Sequence, residues 1–186
     1  MDEPISAAAR FDALLAGIVA EAEASDAAAL DADIADVERA ARAETHVLDR
    51  LRAQQHLTVE LAGGALVSGM VATVGRDVVV IAAEDGDWAV PVWGIAAIVN
   101  PGQGTRLAQS ASERLGLASI ARAWARQRCV VRVMRIGAAP LDGTVDGVGV
   151  DHLELAEHDP GEPRHPQAVR RQVLIPLGAI SAMRRR

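Results

Sequence analysis

A nine-residue pattern occurs twice in this chain and constrains what it can fold into more than any other feature. Gly69-Met-Val71-Ala-Thr-Val74-Gly75-Arg-Asp77 reads G-x-V-x-x-V-G-x-D, and Gly143-Thr-Val145-Asp-Gly-Val148-Gly149-Val-Asp151 reads the same 74 residues later. The offset holds upstream, where Leu57, Val59 and Gly63 fall on Val131, Val133 and Gly137. Downstream, Val90-Pro91-Val92 with Ile95 and Ile98 answers Ile175-Pro176-Leu177 with Ile180 and Met183, at an offset of 85. A second copy longer by one 11-residue loop insertion accounts for the change. One small unit used twice is the sequence signature of a repeat architecture.

Each copy reads as β-rich. Leu57, Val59 and Leu61 alternate with Thr58 and Glu60, as a half-buried strand requires. Leu66 to Val74, Val78 to Ile81, Trp88 to Val92 and Ile95 to Val99 follow as four more short runs. Between them lie Gly63-Gly64, Gly75-Arg-Asp77 and Glu84-Asp-Gly-Asp87, which have turn chemistry. Five short strands with regular turns predict a small antiparallel barrel. Large rings are scarce, with three Trp, one Phe and no Tyr, so the core rests on Val, Leu and Ile. Trp88 and Trp93 are an odd number of residues apart, which places at least one of them inside.

Helical spacing surrounds these runs. Phe11, Leu15, Ile18 and Ala22 recur at 4-3-4, and Ser25-Asp26 offers a break and N-cap. Leu30, Ile34, Val37, Ala41, Glu44, Leu48 and Leu51 continue at alternating 4 and 3. This predicts a helical hairpin or coiled-coil segment over residues 1–54, with Leu30, Ile34, Val37, Leu48 and Leu51 as an oligomer seam. A second helix is expected over 106–127, started by Ser112 and Glu113. The chain thus divides into 1–54, a first barrel at 55–100, a linker and helix at 101–128, and a second barrel at 129–186. The fold class is α+β: an N-terminal helical segment, then two five-stranded antiparallel barrels, each preceded by a helix.

A helix leading into five strongly bent strands, with Gly63, Gly69 and Asp77 in one copy and Gly137, Gly143 and Asp151 in the other, resembles the Sm-like (LSm, Hfq-type) and SH3-like small barrels. The resemblance covers residues 36–99 and 110–183. The whole layout also resembles an actinobacterial family with a helical N-terminus and two such barrels. RNA-binding Sm-like proteins place an Asn after the third-strand Asp and an Arg-Gly at the turn between strands four and five. Here Val78 follows Asp77, His152 follows Asp151, and the turns read Trp93-Gly94 and Leu177-Gly178. No base-binding residue is carried over.

Charge is uneven along the chain. Residues 1–56 hold 12 acids and 5 Arg, residues 57–100 hold 5 and 1, and residues 101–186 hold 8 and 13. Arg114, Arg122 and Arg126, spaced by 8 and 4, would share a helix face, and Arg184, Arg185 and Arg186 form a basic tail. These six are the candidate contacts for RNA or an acidic partner. Cys129 is the single cysteine and reads as a small core residue. His152, His158, Asp159 and His165 lack tight ligand spacing, and the loop 158–166 reads as polar and exposed. No catalytic motif stands out and no cofactor is expected. The sequence predicts a cytoplasmic, non-catalytic binding or scaffolding protein. It would act through tandem barrels and self-association, with protein partners or a homo-oligomer, and with RNA binding as the alternative.

Overall fold

The computed structural model describes residues 7–107, 114–161 and 164–185. It divides into two compact units, residues 1–45 and 46–186. The first unit is α1, Ala7–Ala43. It runs unbroken through Ser25-Asp26, because alanines at 22, 24 and 27–29 flank that pair and alanine is the strongest helix former. The expected hairpin is therefore one helix, about 55 Å long at 1.5 Å per residue. α1 stops at Ala43, where the Thr45 hydroxyl donates to the Ala41 carbonyl (3.0 Å). A separate helix, α2, spans Val47–Arg52. The 4–3 row thus crosses the gap between two helices: Leu30, Ile34 and Val37 lie on α1, whereas Leu51 is fully buried in the second unit with Leu48 packed beside it.

Among the described residues, the second unit holds ten strands: β1 (His56–Leu61), β2 (Leu66–Val74), β3 (Val78–Ala83), β4 (Gly86–Pro91), β5 (Ile95–Val99), β6 (Val130–Arg135), β7 (Ala138–Val148), β8 (His152–Glu157), β9 (Arg171–Pro176) and β10 (Ile180–Arg185). They form one antiparallel sheet in the order β5-β1-β2-β3-β4-β10-β6-β7-β8-β9. This differs from two closed barrels. Each half has its strands in the order fifth, first, second, third, fourth, yet β4 does not return to β5. It pairs instead with β10 of the other half, with Met183 opposite Ala89, Arg184 opposite Trp88 and Arg185 opposite Asp87. The sheet is open, with β5 at one edge and β9 at the other.

The repeat is geometric as well as textual. Register shifts fall between Val71 and Thr73 in one half and between Val145 and Gly147 in the other. Bulges of this kind bend a strand, and here they recur 74 residues apart. At Gly69 a Cβ would be driven into the Ala82 carbonyl oxygen, and at Gly143 into that of Ala156. Both glycines are thus demanded by the same close approach of strands. The Val92 amide donates to the Asp77 carbonyl (2.9 Å), as Leu177 does to Asp151 (2.7 Å).

Two cores lie on either side of the β4–β10 joint, and each borrows from the other. Ala182 of β10 belongs to the core built on Leu51, Val59 and Trp88. Val78 and Ala89 of the first half belong to the core built on Leu117, Trp124 and Leu155. The helix α3, Leu117–Arg126, buries Leu117, Ile120, Ala121 and Trp124. It is shorter than the expected 106–127, because Gly116 is its extended N-cap; Ser112 and Glu113 lie outside the described residues. The Asp77 carboxylate accepts from the Leu117 amide (2.9 Å), so a turn of the first half caps the helix of the second.

Candidate functional site

The joint between the halves gathers most of the distinctive chemistry. Gly94 lies in a 3-10 turn after β4, and a Cβ there would strike the Ser181 carbonyl oxygen. At Gly86, with φ +130°, a Cβ would strike that of Arg185. Both glycines therefore let β10 approach. The Trp93 indole donates to the Ile180 carbonyl (3.1 Å). Arg184 pairs with Asp85 and stacks on Trp88, 5.4 Å from the ring centre. Arg185 pairs with Asp87, donates to Gln127 (3.0 Å) and lies 5.9 Å from the Trp124 ring centre.

These placements reassign several candidate contacts. Arg184 and Arg185 are held within the joint, and Arg186 lies outside the described residues. Arg114 precedes α3 and so cannot share a helix face with Arg122 and Arg126. Arg122 is exposed and donates to the Gly149 carbonyl (2.8 Å); Arg126 is exposed on the last turn of α3. Among the described residues, Arg184 and Arg185 thus lie in the joint, whereas Arg122 and Arg126 lie on α3.

Beside the joint, the two matched turns meet at a cavity of about 300 Å³, lined by Arg76, Asp77, Trp93, Val150, Asp151 and Gly178 among others. Trp93 is 41% exposed there, whereas Trp88 is buried. The groove therefore offers one ring face and one arginine against two acids. The hydrogen bond from His152 is the main cause holding the Asp151 carboxyl below its usual range. A second cavity of about 400 Å³ lies between α2 and β2, with Arg52, Gln55, Met70 and Arg106 in its wall. α2 beside it has six residues where α3 has ten. Arg52 is already paired with Asp49 (2.6 Å).

No family model, no curated protein and no solved structure matches this chain.

Two further sequence candidates change place. His158, expected on an exposed loop, is buried: its Nε2 and the Thr144 hydroxyl share a hydrogen bond of 2.9 Å, and its Nδ1 lies 2.8 Å from the Asp159 carbonyl oxygen. It anchors the start of that loop. Cys129 is half-buried against the core of the second half.

The joint carries a pH dependence. Burial acts to raise the Asp85 carboxyl, but the Trp88 hydrogen bond and then the Arg184 bond and charge outweigh it, holding the carboxyl below its usual value. A carboxyl depressed in the folded state stabilises above its unfolded pKa, and that contribution is lost as pH falls through the folded pKa. Asp85→Asn should therefore lower the melting temperature at pH 6, and by less as the pH is taken down below the ordinary carboxylate range, checked by thermal melts at pH 6 and pH 3. Equal losses at both would remove the ion pair from the account.

Proposed function

We propose that this is a non-catalytic binding and scaffolding protein that works through its tandem β-units and through self-association. The fused joint is the observation that carries this reading. Ten strands from two repeats make one platform, and the side chains at its centre are committed to holding it together. The strand order within each half, with a bulged and bent second strand, supports reading the halves as Sm-like or SH3-like units opened onto each other. The exposed apolar row on α1 supports self-association. A cytoplasmic location goes with this reading.

The test is light scattering of the purified protein, with and without a pool of small RNAs. A discrete oligomer whose mass ignores RNA is the expected result. A strict monomer that captures nothing from its own lysate would sink the proposal.

RNA binding is the second reading, and the groove favours it by placing Trp93 beside Arg76, since an exposed ring can stack a base. It requires a salt-sensitive mass shift with RNA that Trp93→Ala abolishes. The Arg122→Glu, Arg126→Glu double variant asks separately whether α3 contributes.

A further inference from the structure

Self-association needs a surface, and the sheet edges are poorly suited to repeat the β4–β10 joint between chains. At the offset of 85, β9 stands in the place of β4, and β5 in that of β10. Arg171 then falls where the joint needs Gly86, and Ala179 where it needs Gly94. Both glycines are required because a Cβ would strike a backbone carbonyl oxygen. Asn100, with φ +48°, turns the chain away at the position where Arg185 continues the strand. The joint is adapted for use once, inside the chain.

α1 has a different kind of match. Its large apolar side chains at Leu15, Val19, Leu30, Ile34 and Val37 are all exposed, the last three at 61%, 49% and 69%. At 100° per residue these five positions fall on a single face roughly 100° wide, the width of a core-facing stripe. The order along that face is nearly symmetric about residue 26. Leu15 and Val37 are each 11 residues from it; Val19 and Ile34 lie 7 and 8 away; Ala22 and Leu30 are each 4 away. Phe11 and Ala41, and Ile18 and Ile34, continue the symmetry in sequence. The segment between the halves of the row, residues 24–29, is Ala-Ser-Asp-Ala-Ala-Ala. Small residues there let two backbones approach.

Resting on the self-association reading, we propose that α1 pairs with α1 of a second copy, antiparallel, about a two-fold axis at residue 26. Self-complementarity is what a two-fold interface demands: residue i meets j, and j meets i. Reversing the helix nearly superposes its apolar row on itself, with Leu15 against the second copy's Val37, Val19 one residue out of step with its Ile34, and Ala22 against its Leu30. A large side chain meets a small one at that last level. Asp26 opposes this arrangement, because the axis brings its carboxylate close to that of the second copy. The pairing is therefore weaker than its apolar area alone would give, and Asp26→Asn tightens it.

Cysteine pairing tests the proposal in a Cys129→Ser background. A mixture of Leu15→Cys and Val37→Cys proteins should form a disulfide-linked dimer under mild oxidation, and neither protein alone should. Light scattering of the same samples, with Ile34→Asp, Val37→Asp as a second variant, should show that variant as a monomer. All three tryptophans lie in the second unit, so their unchanged fluorescence would show that unit intact. Cross-linking by Leu15→Cys alone would mean a parallel pair and overturn the proposal, leaving self-association standing. An oligomer that survives Ile34→Asp, Val37→Asp would overturn it in the same way. A parent protein that is monomeric at all concentrations would overturn both. An Asp26→Asn protein that dissociates as readily as its parent would move the axis off residue 26 and overturn the register.

Discussion

Gly69→Ala and Gly143→Ala are each expected to lower stability by about 1–3 kcal/mol or more, the range for forcing extra atoms into packed space. Each added methyl meets a backbone carbonyl oxygen of the neighbouring strand, Ala82 or Ala156, and backbone cannot rotate out of the way. For a chain of this size about 1 kcal/mol corresponds to roughly 2–4 °C in melting temperature, so shifts of several degrees should appear in calorimetry. Gly63→Ala is the control, since nothing lies within 4 Å of its Cβ position; it should change little. If all three variants melted alike, the shared geometry would not be the reason for the repeated glycines.

Leu155→Ala is expected to cost about 2–5 kcal/mol, because it empties a fully buried site, and to melt both halves together. Leu155 belongs to the core of the second half. That core is locked to the first through Ala182 on one side and Val78 and Ala89 on the other. Trp88 and Trp124 report the two cores separately. Variants that keep one of these rings, with Trp93 replaced by Phe, should show the same lowered midpoint by fluorescence. A Trp88 signal that stays at the parent midpoint would mean that the halves unfold independently.

Much of the fold is legible in the sequence, and the exceptions have physical reasons. The five strands of the first half announce themselves through alternation and turns, and the repeat carries them over to the second half. The hairpin turn is one place where text and geometry part. Gly63 aligns with Gly137 by offset, but Gly64 shares its left-handed conformation, with φ +80° against +69°. The β4–β10 joint carries no local signal: pairing across some 90 residues depends on which edge is free, and no periodicity records that. Arg184 and Arg185 consequently read as a free basic tail, although the acids that hold them, Asp85 and Asp87, lie in a distant turn and strand. The break before α2 is hidden because the 4–3 spacing continues from Glu44 to Leu48 across it. His158 reads as exposed from its neighbours in sequence, whereas its ring is buried with one nitrogen bonded to the Thr144 hydroxyl of β7 and the other against the Asp159 carbonyl.

The placement of β10 also bears on how the protein is made. The strand that seals β4 is separated from it by 88 residues, Val92 to Ala179. At about 5–20 residues per second, the ribosome needs on the order of ten seconds to supply it. Throughout that interval β4 presents unpaired amides and carbonyls, and Val78 and Ala89 lack the half that will bury them. Edges of this kind recruit other chains. A cell making this protein on many ribosomes at once has reason to keep nascent copies apart, and a chaperone that covers β-edges would be most useful to it before β10 emerges.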